Sequence, residues 1–244
     1  MPTLLPFVRG GATKKVKSAA SSAASGGSSG SSSGGGTMQA FQKKFGGGSG
    51  GGQQQGPEQA AAALAGKRLI PGQGLPHVTL HTVQGGVIEV GAPTGKWQLI
   101  VVYRGKHCPV SRNYLASLQQ IIYELDDLGV EVLALTADGR EKAEAFLDSL
   151  RATTETKEIT YRIAYGLKLT DMHKWGLYVS HPRNIRETEH PFPEPAMFLI
   201  NPEGQVQIAE YSNSPFCRPD LRIMIEGIRY IEENDYPVRG TYGF

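Results

Sequence analysis

One cysteine in this chain stands among cations. Residues 103–112 read Tyr103-Arg104-Gly105-Lys106-His107-Cys108-Pro109-Val110-Ser111-Arg112, so four basic side chains lie within four positions of Cys108. A thiol acts as a nucleophile in its thiolate form, and nearby positive charge favours that form. His107 abuts the cysteine. It can help deprotonate the thiol, or it can be an exposed turn residue. Ser111 lies three positions on, where a second cysteine would complete a CxxC pair; a serine can donate a hydrogen bond to the thiolate but cannot close an internal disulfide. Such a thiolate is also the form that can be oxidised to a sulfenic acid. Arg104 and Arg112 are the candidates to steady the thiolate. The bland alternative is a buried, inert cysteine, the common fate of a free Cys.

The second cysteine, Cys217, follows Ser214-Pro215-Phe216 and precedes Arg218-Pro219. It can act as a resolving thiol that condenses with a Cys108 sulfenic acid, provided the Cα atoms come within ~7 Å. Because free cysteines are so often buried, the favoured reading is a small apolar residue packed under the last helix. An external thiol would then regenerate Cys108. Two cysteines make neither a disulfide framework nor a complete zinc site. His77 and His81 are four apart in a strand-like stretch, which separates them by ~13 Å. His173, His181 and His190 show no ligand spacing, and no GxxxxGK[ST] phosphate loop is present. No metal and no organic cofactor are expected. Arg183 and Arg186 are weaker candidates to assist a peroxide oxygen.

The elements that must position Cys108 can be read on either side of it. Trp97–Tyr103 is a continuous apolar run, as a strand buried on both faces requires. The helix after Cys108 carries Tyr114, Leu115, Leu118, Ile121, Ile122, Leu125 and Leu128 on one face and stops at Gly129. Pro109 suits the first helical position, where its missing N–H costs nothing. A helix N-terminus at Cys108 adds free N–H groups and a positive dipole end, which favour an anion. Val130–Leu135 is a second central strand and Arg140–Leu150 a second helix, so strand and helix alternate and the core should be parallel. His77–Leu80 and Val87–Val90 read as strands around a Gln84-Gly85-Gly86 turn. Tyr161–Leu167 reads as an extended piece and Leu169–Leu177 as a short helix. Pro191, Pro193 and Pro195 interrupt regular structure. Ala196–Ile200 and Val206–Tyr211 form a hairpin about Asn201–Gly204, and Leu221–Ile231 closes the chain as a helix. Tyr103, Trp97 and Trp175 should be core or pocket wall.

Charge divides the chain. The first 57 residues hold 15 Gly and 10 Ser, with six Lys/Arg and no Asp or Glu, so that stretch is +6. The remainder holds 19 basic and 23 acidic side chains, a net −4 that argues against a nucleic-acid-binding domain. Residues 1–60 are expected to be a disordered tail, with Met38–Phe45 as a short helix or docking peptide, and residues 61–244 a folded domain. No apolar run approaches the ~18–20 residues of a membrane span. An intracellular, cytoplasmic location is expected, with the basic, acid-free start as an alternative organellar targeting segment.

The strand–turn–helix of Trp97–Leu118 resembles that of the AhpC/TSA peroxiredoxin-like branch of the thioredoxin-like superfamily, whose members often read YRGxxCPxC at this junction. The likeness continues through Val130–Leu135, the Pro195 strand, the Asn201–Gly204 hairpin and Arg218-Pro219-Asp220. It also takes in Gly166-Leu167, Trp175–Tyr178 and Asn234–Pro237, and so covers about residues 70–240. The resemblance implies an α/β, thioredoxin-like fold: a central mixed β-sheet flanked by helices. It implies a thiol-dependent antioxidant oxidoreductase that reduces hydroperoxides through Cys108, with a thioredoxin-like or glutathione-like thiol as reductant and a homodimer as assembly. It further implies a cis peptide bond before Pro195, facing the thiol. Three positions depart from the family pattern. Gly105 stands where Thr or Ser usually binds the peroxide, Ser111 replaces the second cysteine, and Glu194 and Ala196 occupy the stretch where a partner Arg is usual. The alternative reading is therefore a thiol–disulfide exchange or redox-linked binding protein of the same fold.

Overall fold

A computed structural model describes residues 68–242. The tail expected over residues 1–60 and the short helix expected over 38–45 lie outside the described residues. Nine strands and five helices lie among the described residues. They are β1 (Val78–Thr82), β2 (Val87–Val90), β3 (Trp97–Val102), α1 (Pro109–Gln120), α2 (Ile122–Asp127), β4 (Val130–Leu135) and α3 (Arg140–Arg151). Then come β5 (Arg162–Tyr165), α4 (Leu169–Lys174), β6 (Val179–Ser180), β7 (Phe192–Pro193), β8 (Ala196–Ile200), β9 (Val206–Tyr211) and α5 (Leu221–Asn234).

Seven strands make one mixed sheet in the order β2-β1-β5-β4-β3-β8-β9. The apolar runs take its centre. β3 pairs parallel with β4, Trp97 beside Val130 through Val102 beside Leu135, and antiparallel with β8 on its other side. Leu99 to Val102 and Met197 to Ile200 are all 2 % exposed or less, as strands covered on both faces must be. One face carries α1, α2, α3 and α5, which bury Leu115, Leu118, Leu125, Phe146, Leu150 and Ile228 against Leu99, Val101, Ala134 and Leu199. The opposite face buries Met172, Trp175 and Leu177 against Ile100, Val102, Leu135 and Phe198. Tyr103 and Trp175 are fully buried, and Trp175 Nε1 donates to the Pro76 carbonyl at 2.8 Å.

Three details differ from the sequence reading. The helix expected from Pro109 to Leu128 is two helices, broken at Ile121 (φ −112°, ψ 8°). Ile121 and Ile122 are both buried, whereas neighbours on a continuous helix point about 100° apart. The break turns both toward the sheet. The proline-rich stretch is not wholly irregular: Phe192–Pro193 pairs with Val179–Ser180 as a two-residue ladder. The Glu194–Pro195 peptide is trans, since no cis bond occurs among the described residues. Pro195 runs straight into β8, and its carbonyl accepts the Ser212 N–H at 2.9 Å, which extends the β8–β9 ladder by one step. An extended trans proline at the first position of a strand is sterically ordinary.

Candidate active site

β3 delivers the chain to the edge of the sheet at Tyr103, and α1 begins at Pro109. The five residues between them form a tight loop, closed by the Cys108 N–H donating to the Gly105 carbonyl at 3.1 Å. Cys108 is the N-cap of α1, with extended backbone angles (φ −104°, ψ 103°), and its Sγ accepts the Ser111 N–H at 3.4 Å. The sulfur does here what a Ser or Asp side chain does at an ordinary N-cap. Arg104 Nη1 lies 3.9 Å from Sγ. The sulfur is therefore held between a helix N-terminus and a guanidinium, and Cys108 is only 2 % exposed.

Arg104 is itself clamped. Its Nε lies 3.1 Å from Glu194 Oε2, at an angle too bent for a hydrogen bond, and its Nη2 lies 3.7 Å from Glu187 Oε1. The Phe192 ring sits 4.7 Å from the guanidinium carbon. A second arginine reaches the site from the far end of the chain. Arg218 Nη2 donates to Ser111 Oγ at 2.9 Å, its guanidinium lies over the Tyr114 ring, and the Tyr114 hydroxyl donates to the Pro219 carbonyl at 2.8 Å. Burial lowers the Arg218 pKa from its ordinary value, and the charge of Cys108 pulls the other way.

The loop's other side rests on Asp138, which follows β4 and is 1 % exposed. Its Oδ2 accepts the Lys106 N–H at 2.7 Å, and its Oδ1 lies 3.3 Å from His190 Nε2. Gly105 has φ +137°, a region that side chains rarely enter. The His107 ring turns away from the sulfur's cap and packs edge-on against Phe192, with centroids 4.6 Å apart. Burial, and next the charge of Arg104, push its pKa below the ordinary histidine value, so it stands neutral near pH 7. Both His107 nitrogens, the Tyr103 hydroxyl, Arg112 Nε and Arg218 Nε are buried without a protein partner. Buried polar atoms are rarely left so.

The fold thus brings Cys108, Arg104 and Ser111 together. It places His107 beside Arg104 rather than on the thiol. The Arg112 guanidinium forms no hydrogen bond or ion pair among the described residues, and Arg218 instead reaches Ser111. Pro195 lines a groove of about 510 Å³ with Tyr114, Met197, Cys217 and Arg218. Cys217 is exposed and not packed under the last helix; it sits on the loop before Asp220, which caps α5 by accepting from the Arg222 and Ile223 N–H groups. A loop side chain has no helical face to bury, which is why the burial expectation failed there. Glu194, Glu187, Asp138 and Arg218 were not read as site residues. Only Arg218 carried a local signal, in Arg218-Pro219-Asp220. Arg183 lies on the far side of Glu187, to which it donates, and Arg186 is exposed.

The sequence also matches the AhpC/TSA family model over residues 71–209, more than half of the chain. The chain belongs to the AhpC/TSA family. Solved peroxiredoxins share its fold. A cysteine-to-serine mutant of peroxiredoxin 6 from Arenicola marina superposes with a TM-score of 0.57 at 17% identity, over 67% of this chain and 74% of that one. A peroxiredoxin-like protein from Aquifex aeolicus gives 0.56 at 18% identity, over 68% and 90%. AhpC from Enterococcus faecalis gives 0.55 at 20% identity, over 70% and 99%. No curated protein matches the chain. Within the AhpC/TSA family the chain has the thioredoxin-like sheet with flanking helices and the cysteine at the strand–helix junction.

Proposed function

We propose that this AhpC/TSA protein is a thiol peroxidase whose nucleophile is Cys108. One observation carries the reading: Sγ caps the N-terminus of α1 through the Ser111 N–H and faces the Arg104 guanidinium at 3.9 Å. The thiolate attacks the distal oxygen of a hydroperoxide, an S–O bond forms, the O–O bond breaks, and the alkoxide or hydroxide leaves with a proton taken from solvent. Arg104, with the helix N-terminus, offsets the charge that moves onto the departing oxygen. Arg218 holds Ser111 in place rather than touching the sulfur. The sulfenic acid then meets an external thiol, releasing water and leaving a mixed disulfide, and a second thiol displaces Cys108 as a thiolate. A glutathione-like thiol fits the enclosed sulfur better than a protein thiol does.

A second reading, thiol–disulfide exchange without fast peroxide chemistry, has one observation in its favour. Gly105 supplies no hydroxyl where the family usually binds peroxide with Thr or Ser. The 2 % exposure of Cys108 weighs against it, because a macromolecular disulfide cannot reach such a sulfur without local opening. The test is the second-order rate of Cys108 oxidation by hydrogen peroxide, followed by stopped flow. A rate far above that of free cysteine at the same pH, abolished in Cys108→Ser, supports the peroxidase. A rate equal to that of free cysteine sinks it.

A further inference from the structure

The β6–β7 ladder is only two residues long, and it seats the fully buried Phe192 and lays Val179 against the second core. Its pairs are Val179 with Pro193 and Ser180 with Phe192. The residue that follows is Glu194, whose N–H donates to the Tyr178 carbonyl at 2.8 Å. Ser180 Oγ, on the opposite strand, donates to Glu194 Oε1 at 2.6 Å. The ladder therefore fixes both the backbone and one carboxylate oxygen of Glu194. The other oxygen is left for Arg104 Nε, 3.1 Å away. Glu194 is 4 % exposed, and the Arg104 side chain 15 %. A carboxylate so enclosed is retained only with a partner, and its partner is the guanidinium that faces the sulfur.

We infer that Glu194 is a positioning residue that aims Arg104 at Cys108 and offsets part of its charge, so that the ladder sets how readily the thiolate forms. The inference rests on Cys108 being the working thiol. Arg104 has a fixed geometry, five donors and two carboxylate neighbours. Glu194 holds the Nε edge and Glu187 holds Nη2, which leaves Nη1 on the sulfur side. Other charged or titratable groups approach from the surrounding elements, and Arg112 on α1 has a buried, unpartnered Nε. Arg218 comes from the segment before α5 and acts through Ser111. His107 comes from the loop itself and stands neutral near pH 7. Asp138 comes from the end of β4 and is tied to Lys106 N–H and His190. Glu194 is thus the carboxylate closest to the Arg104 guanidinium, at 3.1 Å against 3.7 Å for Glu187. Removing its charge while keeping its shape leaves more of the guanidinium's field on Sγ.

The test is a spectroscopic pH titration of the Cys108 thiolate by its ultraviolet absorbance, in a Cys217→Ser background so that one thiol is read. Glu194→Gln keeps the size and still accepts from Ser180. The half-ionisation pH is expected to fall by about one unit, the effect of one charge a few ångströms away. Arg104→Gln combined with Glu194→Gln, which removes both charges, is expected to return it close to the parent value. A half-ionisation pH that stays put or rises in Glu194→Gln overturns the inference. So does a loss of thermal stability with no change in titration, which is the signature of a purely structural glutamate. The titration uses no peroxide. A shifted titration with slow peroxide oxidation would therefore sink the peroxidase reading alone, and fast oxidation with an unmoved titration would sink the role of Glu194 alone.

Discussion

Asp138 stands where a side chain at position 105 would have to go: a β-carbon on Gly105 would lie 2.7 Å from Asp138 Oδ2 and 3.0 Å from Oδ1. The missing hydroxyl residue is therefore not a simple vacancy that a substitution could refill. The same carboxylate oxygen accepts the Lys106 N–H, so it cannot step aside without leaving that donor unpaired. Gly105→Thr should lower stability by about 1–3 kcal/mol from the strained backbone alone and should not raise the peroxide rate. Chemical denaturation and stopped-flow oxidation of the variant check both halves. A stable Gly105→Thr with faster oxidation would show that the loop relaxes around Asp138.

Arg218 spans the groove to reach Ser111, and Ser111 in turn holds the sulfur. Arg218→Met keeps much of the apolar stem over Tyr114 but removes the donor to Ser111 Oγ. Oxidation of Cys108 by hydrogen peroxide should slow about tenfold, as expected when one nearby cation is lost from a thiolate site. Far-ultraviolet circular dichroism should be unchanged. An unaltered rate would confine Arg218 to packing.

The two thiols differ in access, not only in surroundings. Cys217 is exposed and Cys108 is enclosed. In the native protein a bulky aromatic disulfide reagent should label one thiol per chain in a fast phase. Cys217→Ser should remove that phase and leave a slow one limited by local opening. Two equal fast thiols in the parent would show that α1 opens far more readily than its packing implies.

Acid should act on this site through His107 before it acts through the carboxylates. The folded-state pKa of His107 lies below its unfolded value of about 6.5. Below about pH 6.5 the unfolded chain therefore binds more protons than the folded one. Stability present near neutral pH is lost as pH falls through that window. Glu187, held below the usual carboxylate range chiefly by the Arg183 N–H, loses its contribution in a lower window, beginning near the unfolded glutamate value of about 4.3. Denaturation midpoints measured down to about pH 5.5 should fall in the parent and stay nearly level in His107→Gln. A parallel fall in both would place the acid sensitivity elsewhere.

Much of this architecture could be read along the chain. The unbroken apolar run of Trp97–Tyr103 marks a central strand, and Pro109 with the spacing of Leu115, Leu118, Ile122 and Leu125 marks the helix that Cys108 caps. What local pattern could not show was contact at long range. Asp138 meets Lys106 across 32 positions and Arg218 meets Ser111 across 107. Neither pairing imposes a periodicity on either partner. The break at Ile121 was hidden for the opposite reason. Leu118, Ile121, Ile122 and Leu125 suit one helical face so well that nothing local marks an interruption. Pro195 misled through its neighbours: the resemblance implied a cis bond, whereas the ladder it joins is satisfied by an extended trans chain.

If Cys108 reduces peroxides as proposed, the enclosure of Sγ sets the order of events in turnover. Hydrogen peroxide is small enough to reach the thiol of a residue that is 2 % exposed, and a protein reductant is not. Oxidised Cys108 would then stay shut inside until the first turn of α1 loosens, which requires the Ser111–Arg218 contact to let go. Under that arrangement the oxidising half-reaction answers to peroxide concentration. The reducing half-reaction with a protein partner would level off as the partner is raised, at a ceiling equal to the opening rate of one helical turn. Such a protein would record a burst of oxidant quickly and forget it slowly, with the forgetting time written into α1 rather than into thiol chemistry.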